Sequence, residues 1–181
     1  MAIIKILQFP DSRLQTKAKK VEDFGPAFQK IVDDMFETHY AADNCAALAA
    51  TQLDIIDPPH VTVIDFSEHH NQPLCIVNGE IIESSGEQNE PEGCMSVGCD
   101  IGANVYEKVK RAKKIKVKAQ DRHGKDIEFE AEDFMAKCIQ HELDHLDGKI
   151  FLDHLSKLKR QRIQQKLAKL KRAIKNEPSE K

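Results

Sequence analysis

The sequence predicts an α+β fold, with small antiparallel β-sheets around a central helix, an N-terminal helix and a basic C-terminal helix. Three stretches, 22–42, 134–146 and 157–175, carry apolar residues at helical spacing. Short β-branched runs lie between the first two, and apolar and polar residues alternate over 114–131. Helices and antiparallel strands that occupy separate parts of one chain define the α+β class.

The chain is predicted to form one domain over residues 1–175, followed by a disordered tail over 176–181. A length of 181 residues, 40% of them hydrophobic and 31% charged, suits a soluble globular domain with a real core. The start of the chain holds no apolar run long enough for a signal peptide or a membrane span. Five cysteines without a disulfide-framework spacing are typical of free thiols in a reducing compartment. We therefore expect a cytoplasmic protein with no membrane contact.

The first helix is predicted over 22–42, with Pro26 near its start. Core packing is a sufficient explanation for its apolar residues. The segment that follows, 44–53, consists mainly of small residues and carries one amide, Gln52. Small side chains allow close approach of a neighbouring backbone or a ligand.

Strands are predicted at 61–66 and 74–77, and 114–131 is predicted to be a hairpin that turns at 121–124. Three histidines fall in the predicted loops, and we expect them to be solvated: His69, His70 and His123.

The central helix carries the pattern H-E-x-x-H, in which His141 and His145 lie four positions apart. Residues at this spacing share a helix face, so both rings can reach one metal ion. Glu142 lies about 100° round the helix, where a carboxylate can act as general base on a metal-activated water. Asp133 is the predicted N-cap of this helix and Gly148 its predicted stop. The alternative is a surface helix that carries two histidines by chance.

Catalytic zinc-type centres usually have three protein ligands. A downstream histidine at the spacing H-E-x-x-H-x-x-G-x-x-H would complete the set, but that position is Phe151. Cys94, in Glu-Gly-Cys-Met-Ser, could supply a thiolate, although most free cysteines are simply small buried hydrophobes. Sequence spacing does not connect residue 94 to the helix.

Three segments, in this order, resemble the motifs of the peptide deformylase family: ALAATQ (47–52), EGCMS (92–96) and QHELDH (140–145). The likeness extends over nearly the whole chain. The resemblance implies a metal-dependent hydrolase that removes the formyl group from the N-terminal formyl-methionine of nascent polypeptides.

The resemblance also implies the roles of individual residues. One divalent metal, typically Fe(II) and replaceable by zinc, nickel or cobalt, would be held by Cys94, His141 and His145. Glu142 would move the proton, while Gln52 and the backbone N–H of Met95 would stabilise the oxyanion.

The implied substrate site combines a methionine pocket with backbone pairing of the strand-addition kind. The pocket residues are Ala46, Phe134 and Cys138, and the pairing region comprises Ala47, Leu48 and Gly93.

The sequence departs from the family pattern at several positions, which puts pocket shape and substrate preference in question. Cys45 and Ala47 replace glycines, Gly98 stands where proline is common, and Tyr106 falls near a position often held by arginine. The stretch from Val97 to Arg111 is also longer than in common bacterial members.

The last helix, Lys157–Lys175, holds nine Lys or Arg residues and no acidic residue. Its apolar stripe could pack on the body while the basic face stays solvated, or the basic face could bind ribosomal RNA. The resemblance favours the second interpretation, because some family members dock near the ribosomal exit through this helix. Two alternatives to a deformylase remain at this stage: a general HExxH metallopeptidase, and a non-catalytic ribosome-associated relative with a structural metal.

Overall fold

The computed structural model describes residues 2–176 and has the α+β architecture that the sequence predicts. The helices are α1 (Pro26–Ala41), α2 (Asp133–Leu146) and α3 (Lys157–Asn176). The strands are β1 (Ala47–Ala49), β2 (Val61–Ile64), β3 (Leu74–Ser85), β4 (Gln88–Glu92), β5 (Glu107–Arg111), β6 (Lys114–Gln120) and β7 (Asp126–Glu132). One antiparallel sheet has the order β1-β2-β3-β6-β7, and β4 pairs with β5 in a second sheet.

Helix α1 begins at Pro26, four residues later than predicted. Proline suits the first helical turn because its missing N–H would have no intrahelical partner there. The predicted apolar stripe is buried through Phe28, Val32 and Met35, which pack against β1 and β2.

The predicted hairpin is present as β6 and β7, with Gly124 at a φ of +82° in the turn. Ile115 and Val117 point inward and are almost fully buried, as the alternation requires. The opposite face is covered by cross-strand ion pairs, such as Lys116 to Glu128 at 2.7 Å. This amphipathic sheet gives α2 an apolar surface on which to pack.

Helix α2 follows β7 without a loop. The cap position is Glu132, so the prediction that Asp133 would be the N-cap is wrong. The reason is that the Asp133 N–H bonds to the Lys113 carbonyl and continues the strand ladder up to the helix start. Gly148 follows the helix at a φ of +76°, which agrees with its predicted role as the stop.

Several elements lie beyond the predicted boundaries. Strand β3 extends from the predicted 74–77 to Ser85, because its polar second half pairs with β6 on an open face. Strands β1, β4 and β5 were not predicted. Asn176 ends α3, and the rest of the predicted tail, 177–181, lies outside the described residues. None of the helices within residues 2–176 is both long and apolar enough to cross a membrane.

Candidate active site

The two histidines of α2 meet the cysteine from the turn after β4. His141 Nε2 and His145 Nε2 lie 3.2 Å apart, and Cys94 Sγ lies 3.2 Å from His145 Nε2. The three ligand atoms all fall within 4.8 Å of one another. The structure therefore brings together residues that spacing alone could not connect.

This cluster fits a divalent metal. Two imidazole nitrogens and one thiolate form a ligand set that suits zinc and other first-row metals. Metal–ligand bonds of about 2.0–2.3 Å in tetrahedral geometry separate the ligand atoms by about 3.3–3.6 Å. The two separations of 3.2 Å are close to that requirement. The chain therefore has a candidate metal site at Cys94, His141 and His145.

A buried ion pair orients His141. Its Nδ1 atom lies 3.0 Å from Glu92 Oε2, and Arg111 holds both oxygens of that carboxylate, at 2.8 and 3.0 Å. Burial alone would raise the pKa of Glu92, but the hydrogen bonds from His141 and Arg111 outweigh it and lower this pKa to about 2. The ionised carboxylate is placed to accept the Nδ1 proton, which makes Nε2 the ring atom available to a metal.

The same arginine continues the network along α2. Arg111 Nη1 lies 2.5 Å from Asp144 Oδ2, which also lies 2.6 Å from His154 Nε2. The Gln140 side chain makes two hydrogen bonds to the backbone of Ala112. Its Oε1 atom accepts the Ala112 N–H and its Nε2 atom donates to the Ala112 carbonyl, both at 2.9 Å. These contacts fix α2 against the end of β5, and with it both histidines.

Sequence reasoning assigned no role to Glu92, Arg111 or Asp144. Glu92 lies in the second motif and Asp144 in the third, and membership of a motif was the one feature of the sequence that could have indicated a role for them. Arg111 carries no local signal, because nothing in a lysine-rich strand distinguishes one buried guanidinium from its exposed neighbours.

Glu142 lies beside the histidines in a dry environment. It is 3% exposed, and its Oε2 atom has no hydrogen-bond partner among residues 2–176. Burial raises the pKa of this carboxyl to about 7. A carboxylate with a pKa near neutrality suits general acid–base chemistry.

Gln52 is buried with its amide orientation fixed. Its Oε1 atom accepts the Ala49 N–H at 2.9 Å, so Nε2 must point the other way. Nε2 lies 3.2 Å from Ser96 Oγ and 3.4 Å from Cys94 Sγ. The backbone N–H of Met95 donates to no acceptor within the described part of the chain. Both donors border the metal cluster.

A cleft of about 330 Å³ opens onto the site. Most of the residues that the resemblance implied for substrate binding line it: Ala46, Ala47, Gly93, Phe134 and Cys138. Leu48 does not, because its side chain is fully buried in the core beside α1. Sequence reasoning missed the lining residues Cys99, Asn104 and Val105, which the long segment after Cys94 contributes.

Only some of the departures from the family pattern reach this cleft. Ala47 and Tyr106 line it, whereas the Cys45 thiol turns back to the Ala47 carbonyl at 3.3 Å. Gly98 has a φ of +84°, and a Cβ there would meet the Ala103 carbonyl oxygen at 2.6 Å. A glycine at this position therefore fits the local backbone, and a proline, whose φ is close to −65°, would not.

Comparison with known proteins agrees with this architecture. The polypeptide deformylase family model matches residues 3–161. Peptide deformylase 1 of Coxiella burnetii is 66% identical over 122 residues, which cover 67% of this chain and 69% of that protein. A peptide deformylase of Chromobacterium violaceum is 48% identical over 124 residues, 68% of this chain and 70% of that protein.

Solved structures of peptide deformylases have the same fold as this chain. The crystal structure of a peptide deformylase from Legionella pneumophila matches with a TM-score of 0.86 and 43% identity, covering 98% of this chain and all of that one. The deformylase of Ehrlichia chaffeensis in complex with actinonin matches with a TM-score of 0.83 and 32% identity, covering 93% and 98%.

Fold and site together define an α+β protein whose central H-E-x-x-H helix carries a candidate metal centre. The family model and these relatives identify it more closely. The chain belongs to the polypeptide deformylase family, as its three motifs predict.

Proposed function

We propose that this chain is a metal-dependent peptide deformylase, which hydrolyses the formyl amide at the N-terminal formyl-methionine of nascent polypeptides. The observation that carries the proposal is the meeting of Cys94, His141 and His145 in one cluster. Cys94, His141 and the buried Glu142 line the cleft that opens onto this cluster. Membership of a metal-dependent family supports it over a general HExxH peptidase and over a non-catalytic relative.

The proposed cofactor is one divalent ion per chain, with Fe(II) as the physiological metal and zinc, nickel or cobalt as substitutes. When bound, the ion would polarise the formyl carbonyl and lower the pKa of a water molecule. Ligation requires neutral imidazoles, and burial favours this form at His145 by holding its pKa well below the usual value. At His141 burial also lowers the pKa, but hydrogen bonds with Cys94 and Glu92 outweigh it and raise this pKa well above the usual value, so that ring would release a proton on ligation.

Glu142 is the proposed proton carrier. It removes a proton from the attacking water and delivers it to the departing amine nitrogen, which leaves as the new N-terminus. The reaction breaks one amide bond and consumes one water, giving formate and a free methionyl peptide. The buried, unpartnered Oε2 atom supports this role, since no competing ion pair within residues 2–176 holds the carboxylate.

Gln52 and Met95 are the proposed oxyanion donors. The Gln52 amide is held with its NH₂ group toward Cys94, and the Met95 N–H borders the same cleft. Donors fixed in advance stabilise developing negative charge without reorganisation during the reaction.

The proposed substrate lies as an extra strand along β1, with its methionine side chain toward Phe134 and Cys138. Strand β1 supports this arrangement because it forms an edge of the five-stranded sheet. Its small residues, Ala47 and Ala49, allow a second backbone to approach.

Formate release tests the function. Protein loaded with Fe(II) or nickel is incubated with formyl-Met-Ala-Ser, and formate is measured by a coupled dehydrogenase. We expect turnover by the loaded protein and none after chelation. Cleavage at the internal peptide bonds without formate would contradict the proposal and would indicate a general peptidase.

We further propose that α3 binds ribosomal RNA and that the protein acts in the cytoplasm, where nascent chains are made. The helix is attached to the body by Leu167, which is 3% exposed, and by ion pairs such as Lys171 to Asp100 at 3.0 Å. Arg162, Lys166 and Lys169 are exposed, share one face of the helix and make no ion pair with any described residue. Three unpaired cations in a row favour phosphate binding.

Charge reversal tests this role without removing a helix that packs on the body. The triple variant Arg162→Glu, Lys166→Glu, Lys169→Glu is expected to lose about tenfold or more in ribosome affinity at low salt. A matched control reverses three exposed body lysines that make no ion pair with described residues: Lys17, Lys20 and Lys118. Equal ribosome sedimentation of the two variants would refute the proposal.

A further inference from the structure

Cys94 stands at the start of a tight turn. The Val97 N–H donates to the Cys94 carbonyl at 3.0 Å, so Met95 and Ser96 occupy the two central positions of the turn. The peptide unit that joins Met95 to Ser96 is the central peptide, and its orientation is what distinguishes the common turn types. The hydrogen bond that closes the turn therefore does not by itself fix the direction of this peptide.

Both sides of the central peptide are hydrogen-bonded. The Ser96 N–H donates to the Cys94 sulfur, at an N–S distance of 3.4 Å. The Met95 carbonyl accepts from Gln8 Nε2 at 2.8 Å. A carbonyl only accepts hydrogen bonds, so the Gln8 amide must turn its NH₂ group toward Met95. The peptide is trans, and its N–H and carbonyl point in opposite directions, so a side chain that holds the carbonyl also directs the N–H at the sulfur.

The backbone on either side of Gln8 is anchored to the same site. The Leu7 N–H donates to the Gln52 carbonyl at 2.7 Å. The Phe9 N–H donates to the Ser96 carbonyl at 2.8 Å. Leu7 and Phe9 are both buried. The Gln8 side chain therefore approaches the turn from a fixed position.

Hydrogen bonds around a cysteine ligand tune the metal that it binds. An N–H directed at a thiolate withdraws negative charge from the sulfur and reduces its donation to the metal. We propose that Gln8 is a positioning residue for the metal centre, which holds the Met95 carbonyl so that the Ser96 N–H stays on the Cys94 sulfur. The inference rests on the proposed function, because it requires that Cys94 binds the metal as a thiolate.

The absorption spectrum of the Co(II)-loaded protein tests the charge on the sulfur. A bound thiolate gives a sulfur-to-cobalt charge-transfer band. We expect this band to move to longer wavelength in Gln8→Met, because a sulfur that has lost its hydrogen bond gives up electron density more easily. Methionine is close to glutamine in size and has no N–H to donate. Gln8→His should return the band toward its wild-type position, since its ring Nε2 lies as many bonds from Cα as the Gln8 amide nitrogen.

Gln29→Met is the matched control. The Gln29 amide also donates to backbone carbonyls, those of Phe24 at 3.0 Å and Arg122 at 2.7 Å, but it connects α1 to the β6–β7 turn. Its loss should lower the thermal unfolding temperature and leave the cobalt band unchanged. If Gln8→Met does not fold, Gln8→Glu takes its place, because it keeps the shape of glutamine and lacks the N–H.

Amide exchange at Ser96 is a second measurement, and it requires no metal. Ser96 is fully buried, so its N–H exchanges with solvent only when the turn opens. One hydrogen bond corresponds to about 2- to 12-fold in such an opening equilibrium. Gln8→Met should therefore speed exchange of the Ser96 amide by this factor, while Gln29→Met should leave it unchanged.

The two proposals fail in distinguishable ways. A wild-type protein without a sulfur-to-cobalt band would contradict the metal site, while exchange at Ser96 would still show whether Gln8 holds the peptide. A wild-type band whose position is retained in Gln8→Met, or which moves equally in Gln29→Met, would overturn the role of Gln8. Exchange of the Ser96 amide at the wild-type rate in Gln8→Met would overturn it as well.

Discussion

His141 Nδ1 lies 3.0 Å from Glu92 Oε2, and this contact turns the Nε2 atom of the same ring toward Cys94 and His145. The metal cluster is therefore held from behind by a carboxylate that belongs to the same motif as Cys94. Such outer partners of a ligand fix its tautomer and its orientation.

Glu92→Gln should weaken metal binding by about 10- to 100-fold, because a neutral amide holds the imidazole proton less strongly than a carboxylate does. Competition with a coloured chelator measures this affinity. The matched control is Glu90→Gln, an exposed position on the same strand. Metal affinities that are equal in the two variants would show that Glu92 does not support the site.

Glu142→Gln should lower kcat by about 10²- to 10⁴-fold, the usual contribution of a general acid–base group. Metal content should remain unchanged, because Glu142 is not among the three grouped ligand atoms. Formate release and metal analysis on the same preparation separate the two effects. A variant that loses its metal would place Glu142 in the ligand set instead.

Gln52→Ala should reduce kcat by about 10²- to 10³-fold, as expected for the loss of one preorganised oxyanion donor. The cavity it leaves is lined by Ala49 and Ser96, so both metal content and thermal unfolding should be checked. Turnover at the wild-type rate would remove Gln52 from the mechanism.

Leu167→Ala should destabilise the fold by about 2–5 kcal/mol, since it empties a buried position between α3 and the body. Ile174→Ala is the control on the same helix, because Ile174 is 49% exposed and should have little effect. Urea unfolding of both variants measures the difference. Equal midpoints would mean that α3 does not pack on the body in solution.

The sequence predicts a helix or strand correctly where the apolar periodicity of that element lies within one continuous segment. Helix α2 and the β6–β7 hairpin each bury one regular face, so their periodicity predicts them. Strands β4 and β5 lack such a pattern, because each has only five residues, β4 is mostly exposed, and one of the two buried residues of β5 is the charged Arg111. Their partner is defined only by the tertiary fold.

The same distinction applies to the contacts of the candidate site. His141 and His145 could be paired from local spacing, since one helix turn separates them. Cys94 could be joined to them only through the resemblance, and Arg111 not at all, because those contacts span many residues of chain. The Tyr106 ring lies where a side chain of residue 93 would stand, and this contact likewise depends on the register of β4 and β5, which the sequence does not reveal.

X-ray absorption at the metal edge of the loaded protein tests the central claim most directly. The account predicts one sulfur ligand at about 2.3 Å and two imidazole nitrogens at about 2.0–2.1 Å, with the sulfur lost in Cys94→Ala. A spectrum without sulfur, or one unchanged by that substitution, would contradict it.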